Sequence, residues 1–317
     1  MNAAEIQSQL NSNYYFNIIS FTLLFYDYFL TLDWEISRYW GTPFSWPSTL
    51  FFLNRYGTLL GNIPVVIQYF WSLESTPQKI MVCLHLESYH QYFIIATQLM
   101  VGVMLILRTH ALYERNRRVL ILMLAVAASG VVVGLWSVIT GKTGNTVENL
   151  PLYFGCNYAI SQSQGVSLAS AWAGVAVFDC MIFLLTLYKV FSRRRTRGTD
   201  LFTVLLRDGS VYFGVMVMSN LSNILSFVLG SPYTRGIATT WTNIISSIMI
   251  SRLMLNLRDP ALAHMTGRLS TSGTITGGSV MFAPSGGSPV LDTAMDIELV
   301  DRQTNSAGPR HVSDGTQ

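Results

Sequence analysis

The chain has 317 residues, of which half are hydrophobic and only 12 % charged, where soluble domains carry about a quarter charged residues. A net charge of +3 is too small to mark a nucleic-acid-binding surface, and three cysteines are too few for a disulfide scaffold. The charges gather at the ends of long apolar runs, which argues against an ordinary soluble fold and makes a lipid bilayer the expected partner.

Residues 1–13 are polar with one acid, Glu5, and lack the basic start of a signal peptide. They read as an outer N-terminal tail, and the first apolar run as an uncleaved anchor. A hydrocarbon core about 30 Å thick needs roughly 20 helical residues. Seven runs meet that need: Tyr14–Leu32, Leu50–Trp71, Tyr89–Leu112, Val119–Ile139, Leu168–Phe191, Val211–Leu229 and Ile237–Leu255. They are continuous and do not alternate, so helices are expected rather than a barrel. The seventh is the most diluted, by Thr239, Thr240, Asn243, Ser246, Ser247 and Ser251. The expected fold is all-α: a seven-transmembrane-helix bundle over residues 14–258.

Arginines set the expected orientation. Arg115, Arg117 and Arg118 follow span three, Arg193, Arg194, Arg195, Arg197 and Arg207 follow span five, and Arg258 follows span seven. Only Lys79, Lys142 and Arg235 lie in the opposite loops. The N-terminus is therefore expected outside and the C-terminus in the cytosol, with the plasma membrane as the location. Asp259-Pro260 resembles a helix start, so residues 259–265 could form a short interfacial helix. From Thr266 to the end, Gly, Ser, Thr and Pro dominate, and residues 266–317 read as a disordered cytosolic tail.

Within the spans, ionisable residues are functional candidates. Asp27 lies five residues before the expected end of span one, and Arg55 five residues after the start of span two. Antiparallel neighbours would pair them as an inner ion pair, assisted by Asn54 or Tyr28, either as a switchable lock or as a static clamp. Asp179 lies near the middle of span five. A hydrogen bond to Asn220, Asn223 or Asn243 would satisfy it, as a ligand or proton site lining a central cavity or as a structural bond. The polar stripes of spans six and seven suit interhelical bonding or a wet cavity. Gly57-x-x-x-Gly61 and Gly130-x-x-x-Gly134 allow close helix packing, within the bundle or in a homodimer. Cys83 and Cys156 fall on the expected outer side, where a disulfide would persist.

Other signals are missing. His85-x-Glu87-x-x-His90 has its histidines five apart, where a zinc-protease helix needs four. Without a metal, cofactor or nucleophile motif, no enzyme and no cofactor is expected.

Several blocks resemble a fungal family of multi-pass membrane proteins known as domain of unknown function 6533. They are Tyr26-Asp27-Tyr28 with Thr31, Glu35 and Trp40; Leu50-Phe51 with Asn54-Arg55-Tyr56; Arg108 to Tyr113; Phe178-Asp179; Leu184 to Lys189; Arg207-Asp208-Gly209 with Tyr212-Phe213; and Ser251 to Arg258. The resemblance implies an integral membrane protein and supplies no ligand residues. Topology makes a receptor-like heptahelical signalling protein the first expectation, with a cytosolic signalling partner at the basic loops. A transporter or channel using Asp179 is the alternative, and an intramembrane enzyme ranks third.

Overall fold

The computed structural model describes residues 3–41, 45–71, 77–141, 155–156, 159–197 and 209–258. Seven α-helices account for almost all of them: α1 Ala3–Glu35, α2 Trp46–Phe70, α3 Pro77–Leu112, α4 Arg117–Gly141, α5 Gln162–Arg197, α6 Ser210–Leu229 and α7 Thr239–Leu257. Six of them, all but α7, are long and apolar enough to cross a membrane. The chain is a multi-pass helical membrane protein.

The helices run further than their apolar cores. α1 begins at Ala3, so most of the expected N-terminal tail is helical, and beyond Glu35 it continues through a π-helical turn, Ile36–Trp40. α3 and α5 likewise extend before Tyr89 and Leu168. A hydropathy reading sees only the segment that must sit in hydrocarbon; backbone hydrogen bonding carries each helix on until a turn stops it. α3 stops at Glu114 and Arg115, both in the left-handed region with φ of 54° and 60°. The Asn116 side chain then accepts the Arg118 N–H at 2.9 Å and closes the first turn of α4. α2 is continuous through Pro64. Residues 259–317, with the expected interfacial helix and tail, lie outside the described residues.

The helices alternate in direction. At one end, Arg38 and Tyr39 donate to the Leu255 and Met254 carbonyls, and Arg258 donates to Ser48. Gly209, which caps α6 at φ 73°, fits there because a Cβ would collide with the Leu253 side chain and the Arg108 guanidinium. At the other end, the Cys156 and Gly155 N–H groups donate to Gln68 and Trp71, and Ile160 donates to Pro232. The bundle thus has an Arg258 end and a disulfide end.

α7 sits at the centre. It packs on α1, α2, α3 and α6, and 13 of its 19 residues are buried. α4 packs on α5 and α3 at the edge. The α4–α5 contact is close because Gly130 and Gly174 face each other, and a Cβ on Gly130 would lie 3.3 Å from the Gly174 carbonyl. Gly61 likewise lies against the Phe93 ring, whereas Cβ atoms on Gly57 and Gly134 would meet open space. Each expected glycine motif therefore contributes one glycine to packing within the bundle. The main apolar core, toward the Arg258 end, joins Phe51, Leu105, Met123, Ile182, Met216, Ile250 and Leu253.

Candidate functional site: the polar core around α7

Small hydroxyls and amides recur along α7 at helical spacing, and successive turns address α6, α3 and α2. From the disulfide end, Thr239 donates to Asn223 Oδ1 at 3.1 Å and Thr242 to the Ser219 carbonyl at 3.1 Å, both on α6. Asn243 accepts from Gln98 of α3 at 3.3 Å. Ser247 shares a 2.7 Å hydrogen bond with Thr58 of α2. Asn54 of α2 donates to the Ser247 carbonyl at 3.1 Å and to Ser251 Oγ at 3.0 Å. Arg252 ends the series on Asp27 of α1, with Nε 2.5 Å from Oδ1. Hydrocarbon offers these groups no partner, so an α7 exposed to lipid would leave them unmet.

Asp179 is buried in the middle of α5, where the Asn220 amide donates to its Oδ2 at 2.6 Å. Of the four candidate cavity residues, the structure joins Asp179 to Asn220. Asn223 and Asn243 do not bond Asp179: Thr239 takes the first and Gln98 the second. Asn220 and Asn223 are three apart and share a face of α6, but their side chains address different helices. Three buried atoms in this region, Asn220 Oδ1, Asn223 Nδ2 and Ser246 Oγ, have no hydrogen-bond partner among the described residues. A buried polar atom left unmet costs about 1–3 kcal/mol, so a polar group reaching these atoms would gain from them.

The expected Asp27–Arg55 pair does not form. Asp27 holds Arg252, and Arg55 holds Glu35 with Nε 2.7 Å from Oε2. Helix length explains the shift. With α1 ending at Leu32, Asp27 would stand level with Arg55; α1 instead runs on, and Glu35, two turns further along the same face, takes that level. Glu35 is fully buried, and it also accepts from Tyr56 at 2.8 Å and Trp40 at 3.0 Å. Arg55 donates to the Tyr28 carbonyl at 2.9 Å and lies 4.9 Å from the centre of that tyrosine ring. Asn54, an expected helper, serves α7 instead. The overlooked residues are Glu35 and Arg252. Their signal was present: an acid eight residues after Asp27, and an arginine inside the seventh apolar run. α1 thus contributes two buried carboxylates that clamp arginines from α7 and α2.

Cys83 and Cys156 are joined by a disulfide, with Cα atoms 5.4 Å apart. It ties the 155–156 segment to α3 while the backbone of that segment bonds the end of α2. Gly155 has φ 67° and sits against the Tyr69 carbonyl, where a side chain would not fit. Below it, Gln68 donates to Glu87 at 2.7 Å, and Gln91 does so at 3.0 Å. His85 is exposed and bonds the Met81 carbonyl, whereas His90 is buried edge-on to Tyr69. The two histidines point to different surroundings.

No curated protein and no solved structure matches the chain. A family model does match, over α1 and the first part of α2, the stretch that supplies Asp27, Glu35, Asn54 and Arg55. The later blocks, from Arg108 onward, lie outside that match. Residues 15–60 match the model of a family of unknown function, DUF6533.

Proposed function

We propose that this protein crosses the bilayer seven times, with α7 as the seventh span, and works as a receptor-like signalling protein of the plasma membrane. The disulfide end faces outward and the Arg258 end faces the cytosol. One observation carries this reading: the one described helix not apolar enough to count as a membrane span lies at the centre and touches four others, so a small shift of α7 reaches α1, α2, α3 and α6 together. A ligand entering from the disulfide end would engage the unmet atoms of Asn220, Asn223 and Ser246. It would favour whichever setting of α7 binds it better. At the other end of the same helix, Arg252 and Arg258 would pass that setting to Asp27 and to Ser45 and Ser48. The turn containing Arg115, Arg117 and Arg118 would present it to a cytosolic partner.

A proton- or cation-coupled transporter is the second reading. It is favoured by Asp179, a buried carboxylate whose partner is an amide rather than a cation. Two experiments separate the possibilities. Tags at the two ends should be found in opposite compartments; both in one compartment would remove the seven-span reading. Reconstituted vesicles should show no proton or cation flux. Flux lost in Asp179→Asn would replace the receptor with the transporter.

A further inference from the structure

A groove of about 490 Å³ runs along α6, walled by Phe183 and Leu187 of α5, by Ser210, Gly214 and Met218 of α6, and by Trp241 of α7. Its α6 wall extends from Ser210 to Ser222, roughly 18 Å at the rise of an α-helix. That is a little more than half of the ~30 Å hydrocarbon core, so the groove is about one leaflet long. Among the described residues, none that lines it is charged.

Two details distinguish it from an ordinary gap between lipid-facing helices. Gly214 leaves part of the floor without a side chain; a Cβ there would lie 3.7 Å from the Phe183 ring, and anything longer would enter the groove. At the Arg258 end of the groove, Ser210 is fully buried and its hydroxyl has no hydrogen-bond partner among the described residues. The Ser222 hydroxyl, by contrast, is spent on the Met218 carbonyl at 2.9 Å. The groove is therefore neutral and apolar, smooth at Gly214, and carries one unmet hydroxyl at the end nearer the arginines.

We infer that this groove binds a membrane sterol, with its rigid ring body over Gly214 between Phe183 and Met218 and its hydroxyl bonded to Ser210. A phospholipid fits less well. Its phosphate seeks cations or several donors, which the described lining residues do not supply, and its flexible chains lose conformational freedom on binding. A fused ring system has little to lose. The inference rests on the membrane-spanning reading but not on signalling.

The test uses the full chain in lipid vesicles with a photoreactive sterol, and adducts are mapped by peptide. Adducts are expected within residues 183–187 and 210–222 and should be competed away by unlabelled sterol. Gly214→Leu should lower labelling roughly tenfold by filling the floor, an effect of about 1.4 kcal/mol. Met218→Trp should do the same from the rim; that position is 63 % exposed, so the variant keeps its core. Ser210→Ala should weaken apparent affinity by ~3- to 10-fold, the worth of one hydrogen bond. The inference is overturned if adducts spread over all exposed helices without competition, if Met218→Trp labels like the parent, or if a photoreactive phospholipid displaces the sterol at equal concentration. A failure of the seven-span reading would show separately, in the compartments of the two tags.

Discussion

α4 and α7 invert the rule of soluble proteins. α4 holds the most apolar window of the six candidate spans, yet only 6 % of that window is buried within the protein. α7 is too polar to count among those spans, yet 13 of its 19 residues are buried. In water the apolar helix would seek the centre. In hydrocarbon, lipid tails are as apolar as leucine, so burying Val131 or Val132 gains little. Thr242, Asn243, Ser247 and Ser251 gain more, because at the centre their side chains bond other helices, which lipid cannot do. Polarity, not hydrophobicity, places a helix at the centre of this bundle.

If buried polar contacts between helices hold the fold, breaking one partner of such a pair should cost most. Arg55→Ala leaves the buried Glu35 carboxylate without its cation and should lower stability by about 3–5 kcal/mol. The double variant Glu35→Gln, Arg55→Ala should lose clearly less than the separate losses of Glu35→Gln and Arg55→Ala added together. Thermal unfolding in detergent reads both, and strictly additive losses would break the comparison at its strongest point.

The next test concerns the periphery. Val132, on the exposed face of α4, changed to Arg should disfavour insertion by about 2.5–3.5 kcal/mol, measured as the inserted fraction in microsomes. An unchanged fraction would mean that this face does not meet lipid. Between the two regions, Asn220→Leu strips the Asp179 carboxylate of its amide donor and should cost about 1–3 kcal/mol in the same unfolding assay. Adding Asp179→Leu should return part of that loss.

The smallest effects sharpen the contrast. Ser247→Ala removes one interhelical hydroxyl bond and should cost about 0.6 kcal/mol, the average for such bonds in membranes. Val132→Leu should stay within about 0.5 kcal/mol of the parent. A larger loss from Val132→Leu than from Ser247→Ala would reverse the assignment of centre and edge.

Much of this architecture is legible in the linear chain. Helix number and approximate position follow from apolar runs measured against the thickness of hydrocarbon, which is a local property. The polar stripes on α6 and α7 can be read as faces that avoid lipid, because helical spacing alone puts Thr239, Asn243 and Ser246 on one side. The proximity of Asp179 to one of three asparagines was open to the same reasoning. The choice of Asn220 depends on how α5 and α6 turn toward each other, which no local pattern records.

Pairing is where local reasoning ends. Asp27 and Arg55 look level only while α1 is taken to end with its apolar run; the helix continues to Glu35 and Trp40, and the partners shift by two turns. Arg252 finds Asp27 because α7 packs beside α1, although 225 residues separate them. Composition and spacing thus determine that the chain is helical, membrane-bound and internally polar. Packing decides which helix is central, which arginine meets which carboxylate, and where a groove is left open, because those outcomes depend on rotations and depths that arise only when the helices meet.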